Sequence, residues 1–555
     1  MNNAISSNST NKTSEYCKQN QLMELNENII RIPSLVKGRL LLPNSISKNE
    51  IEEAFARKDS FRGVSDFDAT YVKVGETHVL KEAIIDRQNM EKTGKYVYSL
   101  IGSFDPADLI ESDIQSLVDG IYSLSFRDIL DYFSALQAWF IENEEFVDTI
   151  RRTTLLTSEL PDIWHNTSFS LIHSLLDHHQ IELNVNSDLS AWSIPGSSFL
   201  DDWQDLPEAE PFPETANLFA SEYCGDNDSA WSPSTPKLKA MPTRQLHITA
   251  GNSPHIPFFS AVRAIMTKSP AVIKSPYGAT TPGALLSLAA FFACPDHPIT
   301  KSLSIVYWPG GDKTVEDRFF APNSFDRIVV WGAPDSVLSV KSRALFTKVL
   351  TFNPRYAVSF VGKDSLEGTT TGELNSIVVK LLGDALIANQ KACIASQIIY
   401  TDGSDAQVER LAKGLHEALK EFDRNSPNYL KQGMAGDIKR LKRVINGDWK
   451  ENYKSGKFQS AVVVMEDEFK ISQHPMCRLF VIRKLKNPKD ILTYLHHGVS
   501  TVSISPESLL PELRDSIAAR GVSNVVPLGQ SGRAYAGMSH DGMMVLSELV
   551  DWKNG

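Results

Sequence analysis

The chain has 555 residues, 42% of them hydrophobic and 22% charged, the profile of an ordinary globular protein long enough for two to four domains. Its 56 basic and 67 acidic residues give a formal charge of −11 with no basic stripe interleaved with aromatics, which argues against nucleic-acid binding. The five cysteines, Cys17, Cys224, Cys294, Cys393 and Cys477, are widely spread without zinc-ligand spacing, so neither a disulfide framework nor a metal site is supported and a reducing, cytosolic setting fits best.

In chain order, 1–27 reads as a disordered tail, rich in Asn and Ser and lacking the apolar core of a secretory signal. Residues 28–197 form a mixed α+β region, with strand patterns at 39–42 and 71–74 and an amphipathic helix from Ser125 through Phe140. Residues 198–242, rich in Pro, Asp, Glu and Ser, read as an acidic connection. The unit 243–365 then alternates strands at 245–250, 271–274, 303–307, 327–331 and 356–361 with helices at 258–267, 282–293, 315–320 and 336–346. Such alternation implies a parallel sheet of right-handed βαβ units, which binds ligands beyond the carboxyl ends of its strands. The longest apolar run, 285–294, is only about half a membrane span, so none is expected. A second α/β unit, 366–510, has strand patterns at 397–400, 460–465, 479–482 and 499–504, and 511–555 is expected to pack back on the core.

The residues just after the strands of 243–365 are Gly251-Asn252-Ser253-Pro254, Lys274-Ser275-Pro276, Pro309-Gly310-Gly311, Gly332-Ala333-Pro334 and Gly362-Lys363. Small turn formers recur where a dinucleotide would lie, although the G-x-G-x-x-G fingerprint is absent. Lys274 ends the second strand and no acidic residue follows before Asp296, so the usual acceptor for a ribose 2′-hydroxyl is missing and a 2′-phosphate is favoured. Further on, Asn389-Gln390-Lys391-Ala392-Cys393-Ile394-Ala395-Ser396 sets a cysteine among small and polar residues, which points to covalent thiol chemistry rather than a core thiol. The site is expected in the cleft between the two units.

Three segments in order, Leu246-His247-Ile248-Thr249-Ala250-Gly251-Asn252-Ser253-Pro254, Pro270-Ala271-Val272-Ile273-Lys274-Ser275-Pro276 and Asn389-Gln390-Lys391-Ala392-Cys393, with the ending Val526-Pro527-Leu528-Gly529 and His540-Asp541-Gly542, resemble the aldehyde dehydrogenase superfamily. More closely they resemble its LuxC-like branch, the long-chain acyl-thioester reductases. The resemblance implies an α/β, aldehyde-dehydrogenase-like fold with cofactor-binding and catalytic parallel-sheet units and a mixed N-terminal extension. It further implies NADPH-dependent reduction of a fatty acyl thioester to the aldehyde through a cysteine-bound acyl-enzyme, with an acyl-protein synthetase or acyl carrier protein as possible donor, and a homo-oligomer. Cys393 would be the nucleophile and Asn252, with the Cys393 N–H, the oxyanion donors. Lys274, Ser275, Gly310, Gly311, Gly332 and Gly362 would hold the cofactor. The best-known members supply aldehyde for luminescence, but nothing in these residues requires that pathway. One departure is informative: Ser359 stands where oxidising members carry the glutamate that activates hydrolytic water. Asn252 could equally be a plain turn former, and His540 either an acid or a packing residue. A non-redox cysteine acyl carrier and a silent scaffold remain the competing functions.

Overall fold

In the computed structural model, residues 9–59, 70–206, 235–431 and 433–555 are described. Two seven-stranded sheets dominate. The first runs in the order Lys348–Phe352, Arg327–Trp331, Gln245–Ile248, Ala271–Lys274, Leu303–Val306, all parallel, and is extended by antiparallel Ser34–Val36 and then Arg39–Leu41. Helices cover both faces, so Ala271–Lys274 and Leu303–Val306 are buried at every position and are apolar apart from Lys274 and Ser304. The chain steps outward from Gln245–Ile248 to Leu303–Val306 and then returns to the other side of Gln245–Ile248. That reversal creates a switch-point crevice between Gln245–Ile248 and Arg327–Trp331, at the turn bearing Asn252 and next to Gly332.

The second sheet has the order Asp448–Lys454, Lys457–Met465, Leu479–Lys484, Ser396–Thr401, Tyr356–Val361, Val499–Ser505, Asn524–Pro527, parallel except for its first pair. The expected membership of Tyr356–Val361 is therefore corrected. It lies near the centre of the second sheet, and the unpredicted strand Lys348–Phe352 takes the fifth place in the first. The two strands are joined only by Asn353-Pro354-Arg355, and both are apolar enough for either sheet. The unit boundary thus falls near 353–355 rather than at 365, and Gly362 ends a strand of the second sheet.

The expected tail is also revised, for residues 9–27. Ser9–Gln19 is a helix, Thr13 accepts a hydrogen bond from Trp139 Nε1 at 3.1 Å, and Cys17, Leu22 and Met23 belong to the core. A four-stranded sheet and a set of helices complete the N-terminal region. The acidic connection proves partly ordered: Gly196–Asp201 is a helix, and Gln204–Asp205 pairs with Lys237–Met241, while 207–234, including Cys224, lies outside the described residues. Lys237–Met241 pairs in turn with Asp551–Asn554 at the end of the C-terminal segment. Arg327 anchors it by donating to the Glu548 carbonyl at 2.9 Å and the Val550 carbonyl at 3.0 Å. Among the described residues no helix is long and apolar enough to cross a membrane.

Candidate active site

Cys393 sits in the turn immediately before Ser396–Thr401, at the amino end of a central strand, and is partly exposed. Its carbonyl lies 2.6 Å from Ser500 Oγ on the neighbouring strand Val499–Ser505, and the same hydroxyl is 3.2 Å from the Tyr356 carbonyl. Upstream, Ala388, Asn389 and Gln390 all have left-handed backbones, with φ of 47°, 58° and 66°. Each such non-glycine residue costs about 1–2 kcal/mol, and three in succession persist only where the surroundings hold them. Asn389 and Gln390 are 1% and 0% exposed.

The thiol is pushed up to about 11, chiefly because burial penalises the thiolate and then because Asp541 is negative, while its own N–H, Arg355 and the Ile394 N–H act the other way. Asp541 belongs to the His540-Asp541-Gly542 turn. Its carboxylate is 3.7 Å from Arg355 Nε, and burial raises its own pKa. Replacing Asp541 by Asn should therefore favour the thiolate. Below the thiol's pKa, a tenfold increase in its acidity raises the thiolate fraction about tenfold, and the weaker intrinsic nucleophilicity returns about a factor of three. Alkylation of Cys393 by iodoacetamide at pH 8 is expected to accelerate about threefold for each tenfold gain in acidity; slower alkylation in Asp541→Asn would contradict this electrostatic assignment.

His540 turns away from acid–base work. Its Nδ1 is 3.0 Å from Arg263 Nη2, and its ring packs against Phe352 and Trp331 at centroid distances of 4.7 and 5.4 Å. Burial, followed by Arg263 and Arg355, pushes its pKa down to about 3, so it is neutral throughout the physiological range and accepts a hydrogen bond from Arg263.

Asn252 is exposed in the turn between Gln245–Ile248 and the helix Ile256–Met266, and its carboxamide bonds to no other described residue. The turn is fixed by its neighbour: Ser253 Oγ lies 2.8 Å from His255 Nδ1 and 3.0 Å from Ser168 Oγ of the helix Asp162–Leu175. That helix also packs on the 3₁₀ turn Ile387–Gln390, and Glu159 just before it pairs with Lys391 at 3.3 Å. The N-terminal region thus joins the Asn252 turn to the nucleophile segment. If Asn252 is an oxyanion donor, Asn252→Ala should lower kcat for aldehyde formation by about 10²-fold with the fold intact; near-normal turnover would make it only a turn former.

Lys274 and Ser275 lie at the carboxyl edge of the first sheet, 9% and 4% exposed. The Lys274 ammonium stands 5.5 Å from the Tyr307 ring and 5.3 Å from the Trp308 ring, without an ion pair among the described residues. Burial lowers its pKa to about 8, partly offset by Glu316. Glu316 is itself engaged, accepting from the Gly311 N–H at 2.9 Å and pairing with Arg343. Tyr307 Oη and Trp308 Nε1 are buried without hydrogen-bond partners among the described residues. Gly310 and Gly311 follow on the adjacent loop, Gly311 at φ 84°, and a side chain at Gly251 would come within 2.5 Å of the Tyr277 carbonyl. Gly332 caps the next strand, where a Cβ would press on Ser336 at 3.2 Å. Among the described residues, an ammonium without an ion pair and close backbone turns along the carboxyl edge of this sheet fit a dinucleotide phosphate. Gly362 does not join this edge. Its N–H donates to the Ser505 carbonyl at 2.7 Å, and a Cβ there would meet Leu509 at 3.1 Å, so it is a packing glycine of the second sheet.

Ser359, fully buried, forms a hydroxyl ladder with Ser396 Oγ at 2.7 Å and Ser503 Oγ at 2.9 Å. The position offers no carboxylate. The family described as acyl-CoA reductase (LuxC) matches residues 230–552, more than half of the chain. The protein belongs to this family. It is 28% identical over 333 residues to the long-chain acyl-protein thioester reductase of Photorhabdus laumondii, and 26% identical over 321 residues to that of Vibrio harveyi, covering 57% and 56% of this chain. The matched stretch spans 64% of the length of each of those relatives. Solved structures share the fold at low identity. An NADP-dependent enzyme of E. coli superposes with a TM-score of 0.64 at 12% identity, covering 96% of this chain and 99% of that one. The NADP-dependent glyceraldehyde-3-phosphate dehydrogenase of Bacillus halodurans C-125, complexed with NADP, gives 0.63 at 12%, covering 95% and 99%. The aldehyde-dehydrogenase-like architecture expected from the sequence is thereby established for this LuxC-family chain.

Arg355, Ser500, Glu159 and Arg263 had no recognisable motif. Only His540-Asp541-Gly542 carried a signal, and there the aspartate rather than the histidine acts on the thiol, disfavouring its thiolate.

Proposed function

We propose that the protein reduces a long-chain fatty acyl thioester to the fatty aldehyde, using NADPH and a Cys393-bound acyl-enzyme. The observation that carries the reading is a thiol at a strand's amino end with a sealed serine ladder where a water-activating glutamate would stand. Asp541, the carboxylate that raises the thiol's pKa, is engaged by Arg355. Cys393 as thiolate attacks the thioester carbonyl, its sulfur bonds to the acyl carbon, and the donor thiolate leaves and takes a proton. Asn252 and the Cys393 N–H hold the oxyanion formed in that attack. Lys274 receives the 2′-phosphate, with Ser275, Gly310, Gly311 and Gly332 shaping the remaining edge. NADPH, when bound there, supplies a hydride to the acyl carbon. Expulsion of the Cys393 thiolate from the resulting thiohemiacetal then frees the aldehyde. The donor is coenzyme A or an acylated protein; the names of the matched relatives favour the latter.

The test is a single turnover with tetradecanoyl-CoA, followed by intact mass with and without NADPH. A Cys393-dependent acyl adduct that disappears with NADPH as aldehyde forms supports the reductase. An adduct that persists would make the protein a non-redox acyl carrier.

A further inference from the structure

We infer that Arg478, distant in sequence from the nucleophile, is a positioning residue that holds the Cys393 segment in its left-handed turn through Asn389. The inference rests on Cys393 being the nucleophile. Arg478 is 0% exposed, and its Nε donates to Asn389 Oδ1 at 2.7 Å. Asn389 Nδ2 donates onward to Asn428 Oδ1 at 2.9 Å, and Asn428 is tied by its own Nδ2 to the Gln459 carbonyl at 2.7 Å and the Cys477 carbonyl at 3.2 Å. Gln390 Nε2 reaches the Leu479 carbonyl at 3.0 Å. The carboxamides of two of the three left-handed residues are therefore clamped to the segment 477–479, where Arg478 itself has φ 58°.

The other end of the guanidinium is equally fixed. Nη1 donates to Asp423 Oδ1 at 2.8 Å and to the Ser426 carbonyl at 2.6 Å, and the group lies 4.8 Å from the Phe422 ring centroid. A planar fork that spans an acid on one side and a carboxamide on the other is a geometry lysine cannot reproduce. The turn it fixes carries the chain into Cys393, whose sulfur is served by its own N–H and that of Ile394. If the turn relaxes, those two donors lose their aim. Misplacement of a reacting group by about 1 Å can cost about 10² in rate.

The test compares wild type, Arg478→Lys, Asn389→Gly and the double variant. Arg478→Lys keeps a cation for Asp423 while removing the Nε donor. Asn389→Gly keeps a left-handed backbone accessible while removing the carboxamide. Three readouts are taken: thermal midpoint, the pH profile of Cys393 alkylation by iodoacetamide, and kcat against KM for tetradecanoyl-CoA reduction. Expected are alkylation midpoints displaced upward by roughly 0.5–1 pH unit in both single variants, kcat lowered about 10- to 100-fold with KM little changed, and no further displacement in the double variant. Should Arg478→Lys not fold, Asn389→Gly alone decides. Unchanged alkylation profiles in the folded variants, or additive effects in the double variant, would overturn the inference. Alkylation needs neither acyl donor nor cofactor, so a protein that makes no aldehyde but shows the displaced profiles would sink the reductase reading and leave Arg478 in its role.

Discussion

Cys393→Ala is expected to abolish aldehyde formation, lowering the rate by about 10³-fold or more, and to remove the acyl adduct from the mass spectrum altogether. Both losses follow from one atom, because in the proposed mechanism the sulfur is the group to which the acyl chain transfers before it is reduced. The fold should tolerate the change: Cys393 is partly exposed in a turn, and its main structural contact is made through its carbonyl to Ser500 rather than through sulfur. NADPH affinity should be unaltered, since the cofactor edge belongs to the other sheet. Among the other described cysteines, Cys294 is partly exposed with its thiol pushed up to about 11, as in Cys393, so a Cys294→Ala variant serves as the control. Cys17 and Cys477 are buried and free, with thiols pushed up to about 12 by burial, so neither is a competing nucleophile. A Cys393→Ala protein that still formed aldehyde, or that acylated stoichiometrically, would end the proposed mechanism.

Lys274→Glu should reverse cofactor preference, shifting the NADPH-to-NADH ratio of kcat/KM by about 10³-fold. A charge-assisted hydrogen bond to phosphate contributes about 1.5–3 kcal/mol, and a carboxylate facing the dianion adds a penalty of similar size, about 4 kcal/mol in all. The site suits the effect because the ammonium is nearly buried and Glu316 is already committed to Gly311 and Arg343. Acidity gives an independent check. With the pKa of Lys274 lowered to about 8 by burial, the free enzyme loses the cation as pH rises through that value. NADPH dissociation constants should therefore increase above about pH 8, whereas those for NADH stay level. Equal pH dependence for both cofactors, or an unchanged preference in Lys274→Glu, would remove Lys274 from the 2′-phosphate site.

The sequence carried most of the regular elements because buried parallel strands are short apolar runs between amphipathic helices, as in Ala271–Lys274 and Leu303–Val306. It concealed the partition of strands. Tyr356–Val361 has the same character as the strands before it, and nothing in Asn353-Pro354-Arg355 marks a change of sheet. Asp448–Lys454 escapes a reading by pattern because it is a polar edge strand in a twisted hairpin with Lys457–Met465, half exposed and lacking an apolar run. Within the candidate site, Cys393 and Lys274 were singled out by their local context. Arg355 and Asp541 were not, because they meet across 186 residues, and their role exists only in the folded chain. Asn389 looked like part of a motif. Its left-handed backbone became visible only in three dimensions.

The return of the C-terminal segment has a consequence for biosynthesis. A ribosome delivers Lys274 first, Cys393 later, and the Asp541 turn with Asp551–Asn554 later still. Domains generally fold in the order of their synthesis, so the first sheet can begin to form before Cys393 has its final electrostatic surroundings. The carboxylate that disfavours the Cys393 thiolate is then among the last groups the growing chain acquires, and chains that stall before the Asp541 turn carry the thiol without that restraint.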